Sequence, residues 1–172
     1  ERKTRATQIM AGIDFPVNMV MGRVLPDKDG KIYAVANGEN IIVKLRYKVG
    51  EVVAVAQCYN DVVREFTDLA FVPGSTNKMF VRADLMPHQI RIIGIRCERL
   101  RDISDEECIK EGVYAGSQAL EYPYYFIDTK QFLICDYKSP REAFAALIGK
   151  VSGRGTWDRN PWVVVYEFEL VK

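Results

Sequence analysis

Apolar positions follow two periods along this chain, and the clearest run of each lies near its end. Residues 162–170, WVVVYEFEL, alternate as a strand does. Trp162, Val164, Tyr166, Phe168 and Leu170 fall on one face, and Val163, Val165, Glu167 and Glu169 on the other. The second face turns from apolar to acidic, so the strand is expected to run out of the core toward solvent. Upstream, Ser139-Pro140-Arg141-Glu142 combines a capping serine, a proline in the first turn and a glutamate three residues after the cap. Phe144, Leu147, Ile148 and Val151 then recur at helical spacing, which predicts a helix laid on a sheet and ending at Gly149 and Gly153. Residues 153–157, GRGTW, read as a loop.

The best-specified stretch is 91–113, RIIGIRCERLRDISDEECIKEGV. Ile90, Ile92, Ile93 and Ile95 predict a buried strand. Ser104 with Glu107 forms a capping box, so a helix should start at Asp105, with Ile103 and Cys108 placed to make a hydrophobic staple. Gly112 stands where such a short helix needs a residue tolerant of positive φ.

Elsewhere the pattern is weaker. Residues 31–35, 41–47 and 52–58, separated by turn signals at 26–30 (PDKDG), 36–40 (ANGEN) and 49–51, read as a meander of three strands. Residues 60–76 fit either a short helix or a surface excursion. Residues 78–83 and 131–137 read as short strands, and 8–24 as extended pieces and turns. Residues 114–128, YAGSQALEYPYYFID, form an aromatic-rich insertion whose Tyr122, Tyr124 and Tyr125 suit either packing or base stacking. With no internal repeat, low-complexity tract or linker, the expected architecture is one α+β domain over residues 1–172.

Composition narrows the function classes. Hydrophobic residues at 48% and charged residues at 27% are globular values. Lys+Arg 24 against Asp+Glu 23 gives a net charge of +1, so attraction to a polyanion would need a local patch. The four cysteines, Cys58, Cys97, Cys108 and Cys135, are scattered, and His88 is the single histidine. That spacing argues against zinc and for buried thiols in a reducing compartment. No apolar run nears the roughly 20 residues of a membrane helix, and no signal pattern opens the chain, which predicts a cytoplasmic protein with no membrane partner. Neither a P-loop nor a dinucleotide fingerprint is present, and no metal or cofactor is expected. His88, titrating near neutrality when unperturbed, suits a general base or, beside Pro87, a surface position. The opening residues 1–7, ERKTRAT, place Arg2, Lys3 and Arg5 together, as a solvated terminus or as an anion-binding or catalytic segment. The chain opens on Glu1 and not on methionine, so an upstream piece is expected.

The segments 98–113, 139–144 and 155–168, the last containing Trp157-Asp158-Arg159-Asn160-Pro161-Trp162, give the chain its resemblance to a known family. About two-thirds of it resembles the ASCH-domain proteins of the PUA-like superfamily, in the longer versions carried by bacteriophages and prophages. The resemblance implies a small mixed β-barrel with flanking short helices, and a cleft that takes RNA or a modified nucleoside. Relatives carry a helix and then a glycine-basic-lysine-threonine segment, whose end Arg2-Lys3-Thr4 resembles, with Glu1 in place of the glycine. In small members that resemble amidohydrolases of N4-acetylcytidine, catalysis is attributed to this lysine, a threonine three residues on, and a glutamate closing the mid-chain helix. Lys3 matches the lysine and Glu111 the glutamate. Ala6 stands at the threonine position, with Thr4 and Thr7 beside it. For a binding function the resemblance implies Arg2, Lys3, Arg5, Arg91 and Arg154 on phosphates and Trp157 stacked on a base. A phage or host protein-interaction module, with the tyrosine-rich insertion as its contact surface, is the third class.

Overall fold

The computed structural model describes residues 5–9, 24–36, 39–62, 72–116, 125–129 and 132–171. The fold is α+β, with antiparallel sheets and short helices, and among the described residues no sheet closes into a barrel. The chain divides into two compact units, Glu1–Arg46 with Gly94–Glu167 and Tyr47–Ile93 with Phe168–Lys172.

Strands β1 (Arg5–Ile9), β9 (Trp162–Leu170) and β5 (Gln89–Arg99) are adjacent in that order, and the first unit holds β1, β9 up to Glu167 and β5 from Gly94. The opening segment is therefore no solvated terminus from Arg5 onward. It runs antiparallel to β9 with Arg5 opposite Glu167, Thr7 opposite Val165 and Ile9 opposite Val163. In β9, Trp162 to Tyr166 are buried on both faces and Glu169 and Leu170 are exposed, the expected exit from the core. β2 (Tyr33–Ala36) and β3 (Glu39–Ile42) form a separate hairpin sheet.

Helix α2 (Asp105–Lys110) starts where the capping box puts it. The Ser104 hydroxyl accepts from Glu107 N–H at 3.2 Å, and Glu107 accepts from Ser104 N–H at 3.0 Å. Gly112 follows at φ 103°. Ile103 and Cys108, the staple pair, are both buried in the main core with Leu100, Val113, Phe144, Ile148, Val163 and Val165. The aromatic-rich stretch is strand at its two described ends. β6 (Val113–Ala115), β7 (Tyr125–Thr129) and β8 (Phe132–Tyr137) form an antiparallel sheet, with Tyr125 packed against that core. Tyr122 and Tyr124 lie outside the described residues.

Helix α3 (Pro140–Ser152) is capped by Ser139, passes through Gly149 and ends at Gly153, φ 92°. Phe144 and Ile148 are its buried stripe, whereas Val151, on the last turn, is 73% exposed. Of the loop expected over 153–157, residues 153–155 are outside any helix, and 156 and 157 open a short helix, α4 (Thr156–Arg159).

In the second unit, β4 (Val52–Ala54) pairs antiparallel with the start of β5, Val52 opposite Arg91 and Ala54 opposite Gln89. The three-strand meander is thus a hairpin plus a strand that belongs to another sheet. Within β5, Ile92 is buried but Ile93 is 51% exposed, since neighbouring side chains point to opposite faces. Helix α1 (Tyr59–Val62) and a 3-10 turn at Ala83–Leu85 belong to the same unit, whose buried residues include Tyr59, Met86 and Ile92. No strand forms at 78–83, where Phe80 has φ 62°, a value incompatible with extended backbone.

Candidate functional site

Helix α2 and the β1–β9–β5 sheet of the first unit bring together a hydroxyl, four carboxylates and one guanidinium. Thr7 lies opposite Val165, so it shares a sheet face with Glu167 two residues further along β9. Arg96 and Glu98, also two apart, share one face of β5. Glu107 and Glu111, four apart, share one face of α2 and its C-terminal cap.

Two side chains, Thr7 and Arg96, knit these faces together. The Thr7 hydroxyl donates to Glu111 Oε1. Arg96 donates to Glu98 at 2.8 Å, to Glu107 at 2.6 Å, and through its third nitrogen to Glu167. Arg96, Glu98, Glu107 and Glu111 are all under a tenth exposed. Burial alone would weaken the guanidinium's hold on its proton, but Glu98 and Glu167 outweigh that and hold its pKa above the ordinary arginine value. Glu107 is shared between the capping box and Arg96, so the ion cluster fixes the start of α2 as well as its face. Glu111, one turn on, is thereby set in place, and its backbone N–H returns to the Glu107 carbonyl at 3.0 Å.

Chemically, the Thr7–Glu111 pair offers an acceptor-only carboxylate beside a hydroxyl that can donate or accept. Such a pair can read N–H donors on a ligand, or orient a hydroxyl whose proton the carboxylate can take. Among the described residues no group of histidine, cysteine or acidic side chains is arranged to hold a metal ion, and no helix is long and apolar enough to cross a membrane.

The other sequence candidates are dispersed. Arg2, Lys3 and Thr4 lie outside the described residues, and the Arg5 and Ala6 backbones sit on β1 opposite Glu167 and Tyr166. Arg91 belongs to the second unit, where it pairs with Glu169 at 3.0 Å. Arg154 is exposed in the turn between α3 and α4. Trp157 is half-buried, its ring at 82° to that of Phe144 with the centroids 6.1 Å apart, so part of the indole is committed to packing. His88 is exposed, and its carbonyl accepts from Val55 N–H at 2.9 Å.

Sequence reasoning missed Arg96, Glu98, Glu107's second role and Glu167. The available signal was Arg96 and Glu98 inside an otherwise apolar strand, Ile95-Arg96-Cys97-Glu98, because charges rarely occupy strand interiors unless paired. Comparison with protein-family models, with curated proteins and with solved structures finds no match.

Proposed function

We propose that the chain binds a modified nucleoside or a short single-stranded RNA at the Thr7–Glu111 pair, within a fold related to the PUA-like barrels. The observation that carries this reading is the hydrogen bond from Thr7 to the buried Glu111 carboxylate. A carboxylate accepts from the exocyclic amine of a base, and a hydroxyl adapts to either a donor or an acceptor. The Arg96 cluster behind α2 keeps Glu111 in position before a ligand arrives, which lowers the ordering cost of binding.

The same hydrogen bond favours a second reading, hydrolysis of an N-acylated nucleoside such as N4-acetylcytidine. Thr7 takes the nucleophile's part that Ala6 cannot. Its oxygen attacks the acyl carbon, Glu111 accepts the hydroxyl proton and delivers it to the departing amine, and water then cleaves the acyl-threonine ester. Lys3 is the candidate for steadying the oxyanion.

The test is a thermal-shift screen of the full chain against modified nucleosides, N4-acetylcytidine among them, and short RNAs, each hit followed by mass spectrometry for product. Ligand at ~100 Kd should stabilise the folded state by about 2.7 kcal/mol. A shift without product supports binding alone, and a shift with deacetylated product supports hydrolysis. No shift with any nucleoside or RNA refutes both and returns the weight to a protein-interaction module.

A further inference from the structure

In the second unit, a loop whose tip is Met79 and Phe80 presents an aromatic ring to solvent from a conformation that costs free energy. Phe80 is 78% exposed and Met79 63% exposed. Phe80 has φ 62°, in the left-handed region that a bulky side chain rarely enters. A residue held there costs on the order of 1–3 kcal/mol and persists only where its surroundings over-determine it.

The surroundings do so here. Arg82 N–H donates to the buried Tyr59 hydroxyl at 2.8 Å, and Tyr59 N–H donates to the Gly74 carbonyl at 2.9 Å. Asn60 N–H donates to the Ser75 carbonyl at 3.1 Å, and Met79 N–H donates to the Asn77 side chain at 2.9 Å. A Cβ on Gly74 would come within 2.9 Å of Val81 and 3.1 Å of the Met79 carbonyl, so the base of the loop is closely packed. The ring is therefore held outward on a stiff support, when relaxation of the backbone would be the cheaper arrangement.

We infer that Phe80 is a preformed stacking platform for an unpaired base of single-stranded RNA, with Lys78 placed for the adjoining phosphate. The inference rests on the RNA-binding reading above and adds to it a contact in the second unit. Flanking chemistry selects the ligand. Ser75, Thr76, Asn77 and Lys78 precede the tip and Arg82 follows it, its charge shared with Asp84 at 2.6 Å. The apolar area at the tip is that of two side chains, far below the ~800 Å² per partner of a stable protein interface. It matches one planar base with a cation beside it, and stacking of this kind tolerates any base because each has a π-face.

The test uses the full chain with fluorescein-labelled ten-nucleotide oligoadenylate and oligouridylate, followed by anisotropy at fixed low salt, together with thermal unfolding. Phe80→Gly removes the ring and also relieves the positive φ. It should weaken RNA binding about tenfold while raising the unfolding midpoint. Phe80→Trp should bind RNA at least as tightly as wild type. Opposite signs for affinity and stability are the signature, since a scaffold residue would move both the same way. Equal affinity in wild type and Phe80→Gly overturns the stacking role and leaves the RNA-binding reading intact. No binding by wild type overturns both. Loss of binding to phosphatidylcholine–phosphatidylserine vesicles in Phe80→Gly, with RNA affinity unchanged, would reassign the tip to lipid and overturn the inference.

Discussion

Thr7 donates its hydroxyl to the Glu111 carboxylate, tying the first strand to the C-terminal cap of α2 across 104 positions of sequence. Glu111 is 5% exposed, so a donor lost from it is not replaced freely by water. Thr7→Val keeps the shape and removes the donor, and should lower stability by about 1–3 kcal/mol. Thr7→Ser retains the hydroxyl and should remain within ~0.5 kcal/mol of wild type. Urea unfolding of the two variants checks this. Equal losses in both would mean that the methyl group, not the hydrogen bond, matters at this position.

Cys97 lies on β5 of the sheet that contains β1, 0% exposed, and burial, with Glu98 beside it, pushes its thiol from 9.0 up to about 12. A raised folded value means that the folded state keeps a proton that the unfolded state releases. This contribution to stability is complete below pH 9.0 and is lost as the pH rises toward about 12. Its slope cannot exceed ~1.4 kcal/mol per pH unit. Cys97→Ala should show a shallower decline than wild type between pH 9 and 10.5, measured as the difference between two urea-midpoint curves. Wild-type Cys97 should also resist iodoacetamide at pH 8 until the chain unfolds. Parallel curves together with rapid alkylation would contradict the buried placement.

What the sequence announced, it announced through local rules. Ser104 with Glu107, Gly112, and Ser139-Pro140-Glu142 are caps and stops whose partners lie within four residues, so the two helices could be placed from the sequence. The final strand was legible because its alternation is long. The strand expected over 52–58 stops at Ala54 for a reason outside it. Its partner β5 begins at Gln89; beyond that pair Val55 N–H still reaches the His88 carbonyl at 2.9 Å, but Gln57 N–H is taken by the Met86 sulfur at 3.2 Å and not by a strand carbonyl. The Thr7–Glu111 pair was half legible. Glu111 followed from the family resemblance, but choosing Thr7 over Thr4 required the pairing of β1 with β9, which no local pattern encodes. The Arg96–Glu167 contact spans 71 positions and was invisible for the same reason.

Gly74 and Gly30 separate two costs that a glycine can hide. Both have positive φ, 97° and 74°, but a Cβ at Gly30 meets nothing within 4 Å whereas one at Gly74 meets Val81, Tyr59 and the Met79 carbonyl. Gly30→Ala should cost about 1 kcal/mol, from backbone conformation alone. Gly74→Ala should cost roughly 2–4 kcal/mol, because the Phe80 loop must also shift. Thermal or urea unfolding of the pair decides it. Equal costs would show that the loop gives way without resistance, which would also weaken the case for a stiff support under Phe80.

Arg96 makes three ion pairs, with the buried Glu98 and Glu107 and the partly exposed Glu167. Replacing it with methionine fills the volume but removes the guanidinium that pairs with Glu98, Glu107 and Glu167, which should cost about 3–5 kcal/mol at pH 7. Arg96→Met combined with Glu98→Gln should recover part of that loss, because one of the buried charges that the guanidinium balanced is gone as well. Urea midpoints of wild type, single and double variants at pH 7 provide the comparison. A double variant no more stable than Arg96→Met would mean that Arg96 contributes through packing of its stem and not through its charge.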